Sequence, residues 1–165
     1  MSDLWRDGVM ALEFWAWNCL YTIVPCRHIG LDQAPRPSGQ RWDVPSLVGG
    51  TVALSVQSDA IGRVVVVDTG RATRRYISYC HCYYGDPAPG GTFLHPGDRV
   101  ARLAGGNESP GSSWGGVHCH VVVHDKPRGA FEKGWGDTYY DPAEEIAAYN
   151  SGSPAGGGEE FTMSQ

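Results

Sequence analysis

Three of the six histidines of this 165-residue chain fall within seven residues, in the stretch "GGVHCHVVVH" from Gly115 to His124. Its valines and flanking glycines predict a β-strand over Val117 to His124. Side chains alternate along a strand, so His118 and His120 share a face while Cys119 points away. Two imidazoles one step apart on one face suit either a metal ion or an acid/base pair. Candidates to join them lie upstream. In "CRHIGLDQ", His28 and Asp32 are separated by three residues with Gly30 between them. In an irregular segment that spacing can bring an imidazole and a carboxylate to one zinc ion, glycine letting the backbone bend around it. In "YISYCHCYY", His81 is flanked by Cys80 and Cys82, which alternation places on the opposite strand face. His28, Asp32 and His120 would together offer two neutral nitrogens and one carboxylate oxygen. A fourth zinc position would stay open, as hydrolytic sites require. His81 and His118 would then remain to move protons and bind developing negative charge.

The other histidines and the thiols read as structural. His95 opens "HPGDRV", a tight turn entering a strand. His124 shares the face of His120, but four residues of strand separate them by about 13 Å, too far for one metal ion. Cys80, Cys82 and Cys119 are expected to be buried thiols turned away from the histidines. Five cysteines, an odd number at long intervals, do not make a disulfide framework and are expected to be reduced.

The elements that must position these residues are mostly strands. Thr51 to Val56, Arg63 to Asp68, Arg75 to Tyr84, Arg99 to Leu103 and Val117 to His124 are β-rich runs broken by Gly, Pro, Asp and Asn. They predict a mainly β, antiparallel domain over residues 1–150. Asp141 to Tyr149 is a short helix candidate, and part of Leu4 to Trp15 is expected to be helical. "AGGNESPGSSWGG" (Ala104 to Gly116) is a long loop feeding the histidine strand, and loops of that length are often functional. It and Asp86 to Phe93 are the expected groove walls, with Trp114 a candidate substrate contact. After the helix, residues 151–165 have linker composition, and Thr162 to Gln165 match a helix capping box that hints at a further module.

The bounds agree. The formal net charge is −5, from 13 Lys+Arg against 18 Asp+Glu, so no basic footprint argues for nucleic acid. The aromatic first 24 residues are interrupted by Arg6, Asp7 and Glu13 and have no basic leader. They are expected to pack against the sheet rather than act as a signal peptide or membrane anchor.

In their order, "HIGLD" (28–32), "YCH" (79–81) and "HCH" (118–120) resemble the HxGxD, YxH and HxH motifs of the lysostaphin/LytM-type zinc endopeptidases of bacterial cell-wall peptidoglycan. "GGTVALS", "GRVVVVDTG" and "HPGDRVARLAGG" are similar to that family's intervening segments, so the resemblance runs from about Pro25 to Pro142. It implies a β-sandwich of the duplicated hybrid motif with long loops around a zinc groove. It also implies one Zn2+ held by His28, Asp32 and His120, with His81 and His118 as the catalytic pair. The implied activity is hydrolysis of peptide cross-links or stem peptides of peptidoglycan. Without a recognisable export signal, the chain fits a bacteriophage endolysin made in the host cytoplasm, expected to be a monomer that acts on the wall. The sequence departs from the family at Cys82 and Cys119, where aliphatic residues are usual, and in its N-terminal aromatic region. Two rivals differ in kind. A metal-free phosphocarrier would use two histidines on a similar sheet but has no job for HxGxD. A catalytically silent wall-binding or phage structural module would keep the fold, yet such modules typically lose one of the five site residues.

Overall fold

The valine-rich runs form the strands expected of them, and shorter strands complete the sheet. The computed structural model describes residues 2–13, 28–130, 138–153 and 160–162. In chain order these hold α1 (Leu4–Asp7), β1 (Val9–Leu12), β2 (Leu31–Ala34), β3 (Asp43–Pro45), β4 (Gly50–Ser58), β5 (Gly62–Asp68), β6 (Tyr76–Cys82), β7 (Phe93–Leu94), β8 (Arg99–Arg102), β9 (Cys119–His124), β10 (Thr138–Tyr140), α2 (Pro142–Ser151) and β11 (Glu160–Thr162). The main sheet is antiparallel, in the order β1-β2-β9-β6-β5-β4-β7. On one edge of β9, β2 pairs with its first half and β10 with its second. β11 returns to pair with β10, and β3 with β8 makes a separate ribbon.

Both faces of the central strands are covered, which is why β5 reads as an unbroken valine run rather than an alternating one. Val65 and Val67 join a large core with Leu4, Trp5, Val44, Tyr79, Cys82, Cys119 and Val121. Val64 and Val66 face the other way, onto Ile29, Cys80, Val122 and Tyr139. Each such valine contributes roughly 1.5–3 kcal/mol on burial. The N-terminal segment supplies Leu4 and Trp5 to the larger core, and the Trp5 indole N–H donates to the Pro45 carbonyl at 2.7 Å. Only Leu4–Asp7 of the expected N-terminal helix forms before the chain turns into β1, while Trp15 lies outside the described residues. α2 starts on an Asp141 cap that accepts from the Ala143 N–H and ends at Gly152 with φ 70°. Its Glu144 and Glu145 reach Arg74 and Arg71 at 2.7 and 2.9 Å, tying the helix to the loop between β5 and β6.

Alternation fails at one place that matters. Val65 pairs with Tyr79 and Arg63 with Cys82, so Cys80 and His81 together oppose the single residue Val64, a β-bulge. His81 carries the extra residue with φ 59°, a backbone region in which histidine is among the few tolerated side chains. The bulge overturns the expectation that Cys80 and Cys82 share the face away from the histidines. Cys82 does lie in the larger core with Cys119, but Cys80 is on the other face, directly across from His120. The capping-box match falls on residues 162–165, of which only Thr162 is described. Among the described residues no helix is long and apolar enough to cross a membrane.

Candidate metal centre

β2 delivers the first motif. Asp32 is not in an irregular segment, as its spacing suggested, but on β2 in direct register with His120 of β9. Residues paired across an antiparallel ladder have side chains on the same face, so the carboxylate and the imidazole meet with no loop involved. His28 comes in from the turn that precedes β2. Gly30 is required by close approach and not by an unusual φ: a Cβ there would run into the Val121 carbonyl oxygen and lie 2.7 Å from His120 Cε1. Glycine therefore lets β2 pass beside the imidazole.

Three donor atoms converge. His28 Nε2 lies 3.0 Å from His120 Nδ1 and 3.2 Å from Asp32 Oδ1, and the His120 Nδ1–H donates to Asp32 Oδ1 at 2.7 Å. Four ligands at ordinary zinc distances of ~2.0–2.1 Å in a tetrahedron sit about 3.3 Å apart, so the triangle needs only slight opening to hold the ion. The His28 Nδ1–H donates to the backbone carbonyl of Glu13 at 2.9 Å, which leaves Nε2 as a bare lone pair aimed at the other two donors. An outer hydrogen bond of this kind is how metal-binding imidazoles are usually oriented. Burial by itself would raise the Asp32 carboxyl, but its close contacts with the His120 and His28 imidazoles outweigh it and hold it well below the usual carboxylate range. The trio therefore offers one anion and two nitrogens, a donor set that suits Zn2+.

The second histidine pair lies beside it. His118 stands one residue before β9, not within the strand, yet stays on the expected side with Nε2 3.7 Å from Asp32 Oδ1. The His81 and His118 rings are 4.6 Å apart between centroids, and those of His81 and His120 6.2 Å. Both histidines of the pair donate Nδ1–H to a backbone carbonyl, His81 to Pro110 at 2.6 Å and His118 to Gly116 at 2.7 Å. A carbonyl can only accept, so the single proton of either ring in its neutral form sits on Nδ1 and Nε2 is the acceptor. Burial first, then the His118 charge, pushes His81 down to about 3.

That shift has a measurable consequence in metal-free protein. The unfolded chain titrates His81 near 6.5 while the native chain does not until about 3, so the unfolded state binds more protons between those values. Stability therefore falls as pH drops from about 6.5 toward 3, and burial pushes His120 in the same direction. Asp32 adds to the loss only below its ordinary 3.8. With chelator present, the urea midpoint should decline from pH 7 to pH 5, and His81→Asn should flatten the decline. A midpoint unchanged over that range would refute the assignment.

The remaining candidates separate cleanly. His95 is in its turn, with the Asp98 N–H donating to its carbonyl at 3.0 Å. His124 is fully buried, bonded to Ser78 Oγ at 2.7 Å and to the Lys126 carbonyl, and is part of the core. Burial, then contact with the Cys82 thiol, raises Cys119 well above its ordinary value, which keeps it a thiol and not a metal-binding thiolate. Trp114 is half-buried in the 104–116 loop. Among the described residues its indole N–H is buried with no hydrogen-bond partner. The other expected wall is elsewhere: Gly91 and Thr92 bond to Val52 at 2.8 Å, toward the open end of the β4–β5 hairpin. An open groove lined by Gly50, Thr51, Asp68, Thr69 and Phe93 occupies that far end, away from His28, His81, His118 and His120. Sequence reasoning missed the carbonyls of Glu13, Pro110 and Gly116 that orient the imidazoles. A backbone oxygen has no side-chain signal, although Pro110-Gly111 and Gly115-Gly116 do mark sharp turns.

No family model matches the sequence, and no curated protein does. Solved structures do match. The catalytic domain of the prophage-encoded protein EnpA from Enterococcus faecalis, in a point-mutant form, is 20% identical, covering 84% of this chain and 91% of that one with a TM-score of 0.60. The catalytic domain of the antimicrobial peptidase lysostaphin from Staphylococcus simulans is 13% identical over 87% and 95% of the two chains, with a TM-score of 0.61. A chain of the SpoIIQ–SpoIIIAH pore forming complex is also similar, at 17% identity, 77% and 90% coverage and a TM-score of 0.53. A scaffold shared by peptidases and a pore-forming complex does not carry an activity by itself. The chain has the fold of the lysostaphin-type peptidases.

Proposed function

We propose that this protein is a zinc-dependent endopeptidase that hydrolyses peptide bonds of bacterial peptidoglycan. One observation carries the reading: His28 Nε2, Asp32 Oδ1 and His120 Nδ1 converge within 3.2 Å of one another, with a second histidine pair beside them whose Nδ1 atoms are held on backbone carbonyls. His28, Asp32 and His120 would hold one Zn2+ per chain, the carboxylate offsetting half of its charge. When bound, the ion supplies Lewis-acid polarisation of a carbonyl and a lowered pKa for water, toward ~7. His81 and His118 divide the remaining work. One accepts the proton of the attacking water and hands it to the leaving amine, and the other hydrogen-bonds the oxyanion. Burial of His81 keeps it neutral at working pH, as a proton acceptor must be. Trp114, half-buried in the 104–116 loop, would contribute a substrate contact.

The likeness to a prophage-encoded catalytic domain supports a phage endolysin role, with the protein made in the host cytoplasm and acting as a monomer on the wall. Residues 1–150 would form the body of the catalytic domain, to which Glu160–Thr162 return as strand β11 beside β10. The test pairs elemental analysis of the purified chain with turbidity loss of isolated cell walls. One zinc per chain is expected, with lysis abolished by chelator and restored by zinc. Zinc bound without lysis would favour a catalytically silent wall-binding or phage structural module, and no zinc uptake would end the reading.

A further inference from the structure

Among the described residues, the hydrogen bonds of His81 run to two loops that are locked to each other. Its N–H donates to the Ile61 carbonyl at 2.9 Å, its carbonyl accepts from the Ala104 N–H at 3.0 Å, and its Nδ1–H donates to the Pro110 carbonyl at 2.6 Å. Ile61 sits in the turn between β4 and β5, and Pro110 in the long loop before β9. The two loops are joined by Ser112 N–H to the Asp59 carbonyl at 2.8 Å, Ser113 N–H to the Ala60 carbonyl at 2.9 Å, and Gln57 Nε2 to the Ser109 carbonyl at 3.1 Å. Where they cross there is no room for a side chain. A Cβ on Gly62 would lie 2.5 Å from the Pro110 oxygen, and one on Gly111 would lie 2.5 Å from the Ala60 oxygen. Both glycines have positive φ, 66° and 97°, and Ser109 on the other side of Pro110 has φ 54°. The backbone on either side of Pro110 is thus in left-handed conformations that aim its carbonyl.

We propose that the β4–β5 turn and residues 109–113 form a positioning clamp for His81, with Gly62, Gly111 and Gln57 as positioning residues, which holds the imidazole as its Nδ1–H tautomer. Neutral histidine in water favours the proton on Nε2, the nitrogen that must stay bare to take a proton in the site. A carbonyl can only accept, so the Pro110 oxygen selects the other tautomer and sets the ring plane. The clamp gives residues that supply none of the three donor atoms a role in catalysis, because a base displaced by ~1 Å can cost about 10²-fold in rate. This inference rests on the peptidase reading only for its effect on turnover.

The test uses the zinc-loaded full chain with 15N-labelled histidine, read by long-range proton–nitrogen correlation, together with kcat and KM on cell-wall peptide. Wild-type His81 should show a protonated Nδ1 and a bare Nε2. Gly111→Ala should mix the tautomers and lower kcat by ~10- to 100-fold, with KM and zinc content unchanged. If Gly111→Ala does not fold, Gln57→Ala at an exposed position should give the same changes at smaller size. His81 protonated on Nε2 in the wild type would overturn the clamp, as would a tautomer unmoved in every folded variant. The expected tautomer in a protein that cleaves no wall would uphold the clamp and sink the peptidase reading instead.

Discussion

Asp32→Asn should empty the metal site while leaving the sheet intact. The substitution keeps the size of the side chain and its place opposite His120, but removes the only anion among the three donors. An amide oxygen is a poor zinc ligand, and a dication held by two neutral imidazoles alone lacks the charge compensation that the site is built to give. Losing an outer hydrogen-bond partner of a metal ligand typically costs ~10- to 100-fold in affinity, so loss of a ligand itself should exceed that. Competition with a chromophoric chelator measures the loss, and circular dichroism confirms that β2 still pairs. His120→Ala should act in the same direction and abolish lysis together with zinc. Wild-type zinc affinity in Asp32→Asn would rule out the proposed trio.

The second large effect separates metal holding from proton transfer. His118→Ala should retain zinc and lose turnover by ~10²- to 10⁴-fold, the usual contribution of a general acid or base. The reason is geometric: His118 Nε2 stands 3.7 Å from Asp32 Oδ1, beside the donor triangle and not within it. His81→Ala should behave alike, although its ring is buried and its removal leaves a cavity, so its Tm must be followed alongside its rate. Elemental analysis of each variant against its rate on cell walls gives the answer. A His118→Ala protein that lyses walls normally, or that loses zinc as His120→Ala does, would contradict this division of labour.

What was legible in the sequence follows from local rules. Strands β4, β5, β6, β8 and β9 announce themselves because β-branched runs bounded by glycine and proline have few other uses. The helix over Pro142–Ser151 is equally local, with an Asp cap and a glycine stop. The five candidate site residues stood out in the sequence because imidazoles and a carboxylate in ordered motifs carry a chemical signature that valines do not, and the fold brings them together. Strands β1, β2, β3, β7 and β10 were not legible, since two to four residues are too few to show a period and owe their extended form to the partner they pair with.

Tertiary structure alone decided the rest. It placed Asp32 on a strand rather than a loop, because β2 gains its hydrogen bonds from β9. It turned Cys80 onto the face of His120, because one extra residue opposite Val64 reverses the alternation that sequence reasoning must assume. It gave Gly30 its purpose, space for the Val121 carbonyl and the His120 imidazole of β9, a strand far later in the chain. And it directed Nδ1 of His28, His81 and His118 onto the carbonyls of Glu13, Pro110 and Gly116, which can only accept a proton. Residue types state which chemistry is available. Register, bulges and backbone carbonyls depend on contacts between distant segments, and no window along the chain contains them.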